Sequence, residues 1–313
     1  MQDLLRVIFS YGFLSSVFRM ATPLIFVALA ALIGSKADVL CIAYEGIMLF
    51  AAFGGVIGSA YAHSLTVGLL SGFLMGLILT AIFAYFVLYL NAEPMIVGLA
   101  LNIFGSAGTV FGLFLFTGSK SSSSTLASLT FPAVQIPLIK DIPVLGDILS
   151  GHNLLTYLAF VAVGVVYFLV FRTALGLRIR SVGEAPHAAE SLGINVKRTK
   201  FIALMISGLL ASLGGMFMSM AYLPNFSRDM ISGRGFIGIA AQNLGGGRPL
   251  LTMIWTLGFG AADALGNTAQ SFRLPSQFAQ MTPYLVTLIG LVLMSVSVKK
   301  RSQKKLLAKG EKA

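Results

Sequence analysis

Two acidic residues, Glu45 and Asp263, lie inside long apolar stretches, and the neutral amides Asn102, Gln242, Asn243 and Asn267 lie at comparable depth. An unpaired charge at the centre of a bilayer costs about 2.5–3.5 kcal/mol even on lenient scales. Both carboxylates must therefore face protein, water or a partner. They can line a solute pathway or couple protons; alternatively Glu45, beside Gly46, can cap a broken helix. Uncharged donors and acceptors suit a hydroxylated or heterocyclic solute better than an ion, although the same amides can serve as contacts between helices.

Other chemistry is thin. Gly233-Arg-Gly-Phe236-Ile-Gly238 satisfies G-x-G-x-x-G, but the dinucleotide fingerprint needs a preceding strand in a βαβ unit, and here an apolar segment follows. No G-x-x-x-x-G-K-[ST] occurs in the chain. ATP, if it drives the protein, is bound by another subunit, and no cofactor is expected on this one. His63, His152 and His187 are scattered and Cys41 is the lone cysteine, a pattern that argues against a metal site or a disulfide. No catalytic residue is predicted.

The elements that must position these groups are membrane spans. Of 313 residues, 57% are hydrophobic and only 11% charged, with a mean hydropathy of +0.88, whereas soluble domains carry about 25% charged residues. A helix needs about 20 apolar residues to cross a bilayer. Candidate runs are Met20–Gly34, Leu40–Ala60, Leu65–Leu90, Met95–Phe116, Leu154–Phe171, Phe201–Leu223, Gly235–Gly247, Leu251–Gln270 and Thr282–Val298. Asp3–Phe18 is a tenth candidate or an interfacial helix. The expected fold is an all-α polytopic transmembrane bundle of about 9–10 spans, forming a single integral domain over residues 1–298.

Charge sets the orientation. The net charge is +11, of which Arg172–Lys200 carries +4 and Lys299–Ala313 carries +6. That is a topological signal and not a nucleic-acid footprint. Both basic segments are expected in the cytoplasm, the second as a C-terminal tail. The four runs between them agree in parity, and 118–153 falls outside.

Two segments look alike. Glu45-Gly46 followed by Ala51-Ala52 matches Arg234-Gly235 followed by Ala240-Ala241 at a constant offset, and each runs into a Gly-rich end, Gly54, Gly55 and Gly58 or Gly245 to Gly247. Their opposite direction predicts an inverted repeat. The run Gly235–Gly247 reaches roughly 20 Å at 1.5 Å per residue, short of the roughly 30 Å core, and so predicts a re-entrant or broken helix. Gly54 and Gly58, Gly68, Gly72 and Gly76, and Ser207, Ala211, Gly215 and Ser219 have the spacing of close helix contacts, within the bundle or at a dimer interface.

In the basic internal loop, Pro186 can open a short helix that Gly193 stops. Such a capped helix is a docking element or a solvated connector. The loop Gly176-Leu-Arg-Ile-Arg-Ser-Val-Gly183-Glu184-Ala-Pro186-His187-Ala188-Ala189-Glu-Ser-Leu-Gly193-Ile resembles the coupling-loop signature of ABC-importer permeases of the ribose, nucleoside and branched-chain amino acid superfamily. Gly235-Phe236-Ile-Gly-Ile-Ala-Ala241 and Pro94-Met-Ile-Val-Gly-Leu-Ala-Leu-Asn102 are most similar to its nucleoside-type branch. Where the family has Asn-Ile-Gly-x-Glu-Gly, this chain has Cys41-Ile-Ala-Tyr-Glu45-Gly46, keeping only the Ile and the final Glu-Gly.

The resemblance implies a permease in a bacterial cytoplasmic membrane, surrounded by lipid. Its implied partners are a second permease, a cytoplasmic ATP-binding-cassette protein using ATP and Mg, and an extracytoplasmic substrate-binding lipoprotein. Gly183, Glu184, Pro186, His187, Ala188, Ala189 and Gly193 would contact the ATPase. Glu45, Asn102, Phe236, Gln242, Asn243, Asp263 and Asn267 are the pathway candidates. The expected solute is a nucleoside or related purine or pyrimidine; a simple sugar of the ribose or galactose type is the alternative within the class, and an ion-coupled secondary carrier the alternative outside it.

Overall fold

The computed structural model describes residues 11–135 and 150–271. Among them the chain is a helical bundle without strands: α1 (Tyr11–Lys36), α2 (Tyr44–Ala62), α3 (Leu65–Leu88), α4 (Pro94–Thr117), α5 (Leu154–Arg172), α6 (Ala174–Glu184), α7 (Pro186–Ser191), α8 (Val196–Phe217), α9 (Arg234–Leu244) and α10 (Pro249–Ser271). A π-helical turn, Met218–Tyr222, extends α8. In lipid a helix satisfies its own backbone, which is why the apolar runs become helices and polar residues mark their starts. Asn153, Thr173 and Asn195 each accept a hydrogen bond from a backbone N–H of the helix they precede, and Pro94 and Pro186 open α4 and α7, where no intrahelical N–H is needed.

Six of these helices are long and apolar enough to cross a membrane: α1 to α5, and α8 with its π turn. The protein is a multi-pass membrane protein. At 11 residues α9 reaches only roughly 16 Å, about half the core. Helix α10 is more polar, interrupted by Asp263 and Asn267, and does not meet the same standard. Two expectations change. Residues 11–18 are the first turns of the unbroken helix α1, because the serines there do not interrupt its ladder; Ser16 donates back to the Gly12 carbonyl within it. The span expected from Leu40 is helical only from Tyr44. Residues 3–10, the run Thr282–Val298 and the basic tail lie outside the described residues.

Helix α1 is the hub. Of its apolar window 89% is buried by the rest of the chain, against 17% for α4, so α1 is surrounded by protein while α4 turns most of its surface outward. The segment 173–195 marks one end of the bundle, and 118–135 marks the other. At the first end Lys200 reaches Asp38 and a side chain on Gly183 would run into the Lys36 carbonyl. At the far end the Phe131 N–H donates to the Met220 carbonyl at 2.8 Å and the Ser123 N–H to that of Phe226 at 2.8 Å.

The small-residue rows pack inside this one chain. Gly68, Gly72 and Gly76 of α3 lie against Ser59, Ala51 and Ser212 of α2 and α8. Ser207 of α8 and Ser219 of its π turn donate to the Ala30 and Ala52 carbonyls at 2.8 and 2.9 Å. Each of the two look-alike segments packs closely on a long helix. Gly215 of α8 abuts the Met48 backbone of α2, while Gly238 of α9 abuts Val27 and Ala28 of α1. In both cases the missing side chain lets two backbones touch.

Candidate functional site

Helices α2 and α9 both begin inside the bundle, and their first turns meet. Residues 37–43 enter from the end that carries α6 and α7 without forming helix, and α2 starts at Tyr44; residues 223–233 enter from the far end, and α9 starts at Arg234. A helix start leaves unpaired N–H groups and the positive end of the macrodipole. Here Glu45 supplies the answer for α9: its Oε1 accepts from the Gly233 N–H at 2.7 Å and its Oε2 from the Gly235 N–H at 2.8 Å. Gly233 has φ +79°, and a side chain on Gly235 would crowd the Glu45 backbone. Asn102 of α4 does the matching work for α2, accepting from the Gly46 N–H at 2.8 Å through Oδ1 and donating from Nδ2 to the Ile42 carbonyl at 2.9 Å.

Asp263 meets a partner that the residue pattern alone did not reveal. Arg234, the first residue of α9, pairs with it at 3.7 Å across the α9–α10 contact, both side chains being largely enclosed. Arg234 also donates to the Ile231 carbonyl at 3.0 Å. The sequence flagged Arg234 as part of a false glycine motif and of the look-alike pair with Glu45, and gave it no charge partner. Its position one residue after Gly233, in an apolar context, was the available signal. Asn267 sits one turn on from Asp263, with its amide 3.8 Å from Met20 Sδ.

Gln242 and Asn243 stand apart from this junction. They line a cavity of about 220 Å³ between the end of α1, residues 38–41, Tyr44 and α9, with Ala31, Ser35 and Ile239 in its wall. Phe236 is 42% exposed on the first turns of α9. The pathway candidates thus fall apart: Glu45 and Asn102 at the junction of helix starts, Gln242 and Asn243 at the cavity, Asp263 at the α9–α10 contact, Asn267 against α1, and Phe236 half-exposed on α9.

The residues marked for ATPase contact divide by direction. In α6 and α7, Ala189 is 2% exposed and packs inward, and Gly183 sits tight against the Lys36 backbone. Glu184, His187, Ala188 and Gly193 are exposed, with Gly193 at φ +80° ending the turn. Leu192 beside them is 81% exposed, an apolar side chain held out from the protein, which the punctuation of the loop by Gly and Pro did not single out.

The chain belongs to the family of branched-chain amino acid transport system permease components, whose model matches residues 13–297. It is a permease component of a transporter. It is 32% identical over 284 residues to the nucleoside ABC transporter permease protein NupC of Lactococcus lactis, covering 87% of this chain and 89% of that one. The guanosine ABC transporter permease protein NupQ of Bacillus subtilis is 33% identical over 282 residues, covering 87% and 88%. A putative glucose ABC transporter permease protein, TsgC13 of Haloferax volcanii, is 32% identical, covering 85% and 80%. Among solved structures, PsaBC from Streptococcus pneumoniae in complex with Fab matches 92% of this chain and 94% of that chain with a TM-score of 0.53 at 13% identity, a likeness of fold.

Proposed function

We propose that the chain is the transmembrane permease subunit of an ABC importer that carries a nucleoside across the cytoplasmic membrane, with ATP hydrolysis supplied by a separate ATPase. The observation that carries this reading is near-full-length similarity to nucleoside and guanosine permeases. In this reading α6 and α7 lie on the cytoplasmic face, where Glu184, His187, Ala188, Gly193 and the exposed Leu192 form the surface that meets the ATPase. Ala189 and Gly183, turned inward, pass its movement to the α1 end. In this reading 118–153 is extracytoplasmic and takes the substrate-binding lipoprotein, 299–313 is a cytoplasmic tail, and a second permease completes the pathway. ATP and Mg are bound by the ATPase alone. A simple sugar is the second reading, supported by the similarity to the putative glucose permease.

The test is reconstitution of the chain with its ATPase, second permease and binding protein in liposomes. Labelled guanosine should accumulate only with ATP, and Glu184→Ala with Leu192→Ser should reduce co-purification of the ATPase at least tenfold without loss of inserted permease. Accumulation by this chain alone under an ion gradient would overturn the reading, and ATP-driven uptake of glucose but not guanosine would replace its substrate.

A further inference from the structure

The cavity beside α9 has the build of a binding site. Its volume of about 220 Å³ is just below the roughly 300–1,000 Å³ of drug-sized ligand pockets, which suits a single heterocyclic ring system. Gln242 is only 5% exposed yet lines the cavity, and among the described residues its carboxamide has no hydrogen-bond partner. Its amide atoms open into the cavity and are not sealed in apolar packing, so a ligand there can supply the partner that an enclosed amide normally has. Opposite it the Tyr44 ring is held fixed, its hydroxyl 3.2 Å from the Ala30 carbonyl oxygen and 2.8 Å from Ser207 Oγ. Ala31, Val39, Leu40 and Ile239 supply apolar wall. Asp38, the acidic residue in the lining, lies 3.8 Å from Lys200, its side chain 73% exposed, so the enclosed part of the wall is uncharged.

We infer that this cavity is a solute station within the permease subunit, where the Gln242 carboxamide pairs with the donor–acceptor edge of a heterocyclic base. A carboxamide offers one acceptor and two donors in a plane, the pattern that reads an adenine edge by two hydrogen bonds. The apolar wall then contacts the ring faces. Asn243 and Ser35, both exposed, stand at the mouth toward the α6–α7 end, which makes the station the last binding step before release. The inference rests on the reading of the chain as a nucleoside permease.

Cys41 lines the same cavity but is buried, so occupancy is read instead at Ser35, which is exposed in the same lining, through the variant Ser35→Cys. In the importer reconstituted with that variant, adenosine should slow N-ethylmaleimide modification at position 35 at least fivefold, and ribose should leave it unchanged. Gln242→Leu should cut ATP-driven adenosine uptake about tenfold and abolish that protection. Ser35→Phe, at an exposed position, should cut uptake by a similar factor by filling the mouth. Adenosine uptake at the wild-type rate by Gln242→Leu and Ser35→Phe, or no protection at position 35, would overturn the station while leaving the nucleoside reading standing. A wild-type importer that carries ribose and neither adenosine nor guanosine would overturn the nucleoside reading and the heterocycle assigned to the station with it.

Discussion

Helices α2 and α9 share a short sequence pattern and both begin inside the bundle, but their first turns are satisfied by different chemistry. Helix α9 is capped by a carboxylate from α2, which joins the two look-alike segments directly. Helix α2 is capped by a neutral amide from α4, a helix buried over only 17% of its apolar window. The α9 start also carries a cation, Arg234, with its own counter-charge on α10. One start is therefore an ionic knot, and the other, one residue along α2 from Glu45, is a neutral contact to a helix that turns most of its surface outward. The difference ties Glu45, Arg234 and Asp263 to contacts that hold the short helix at depth, whereas Gln242, farther along α9, lines the cavity.

That contrast predicts a graded series in the stability of the detergent-solubilised chain, measured by unfolding with matched single and double variants. Glu45→Ala should have the largest effect, a loss of about 3–6 kcal/mol, because it strands two backbone donors whose bonds to a charged group are worth about 1.5–3 kcal/mol each. Glu45→Gln, which keeps one acceptor and turns its NH₂ toward the other donor, should recover about half. Equal stability of wild type and Glu45→Ala would remove the ionic knot from the account.

Arg234→Met should follow, at about 3 kcal/mol, since removing one member of an enclosed ion pair leaves the other charge unmatched. Adding Asp263→Leu to that variant should restore most of the loss. A double variant no better than the single would mean that Asp263 is satisfied by something other than Arg234. Asn102→Leu should cost less, about 1–2 kcal/mol, the range for polar contacts between membrane helices. If it matched Glu45→Ala, the two starts would be equivalent and the contrast would fail. Gly233→Ala should cost about 1 kcal/mol, the penalty for a side chain at φ +79°, with no counterpart at Ala43 before α2, where φ is −72°.

Much of the architecture was legible in the residues. The spans at Leu65, Met95 and Leu154 match α3, α4 and α5 within two residues at each end, because uninterrupted apolar runs flanked by Pro, Asn or Arg leave the backbone little choice. The short run at Gly235 also formed the short helix its length required. The start of α2 was not legible: Leu40 to Ala43 are as apolar as the helix that follows, and they remain non-helical between the Lys36 turn and the capped Gly46. At the site, the sequence found Glu45, Asn102, Asp263, Gln242 and Asn243 as polar groups at depth, with two readings open for each. It passed over Arg234 and Leu192, whose roles depend on what stands opposite them.

Hydropathy, charge clusters and a local loop signature are properties of neighbouring residues, and they suffice to make this chain a multi-pass helical membrane protein of a permease family. Which polar residues hold helices and which line a cavity follows from packing between distant segments. Glu45 and Gly233 are 188 positions apart, Asn102 and Gly46 are 56 apart, and no local pattern states that their hydrogen bonds close. Gln242 carries the same kind of side chain as Asn102. It faces a cavity instead of a helix start, and that difference exists only once α1, α2 and α9 are packed.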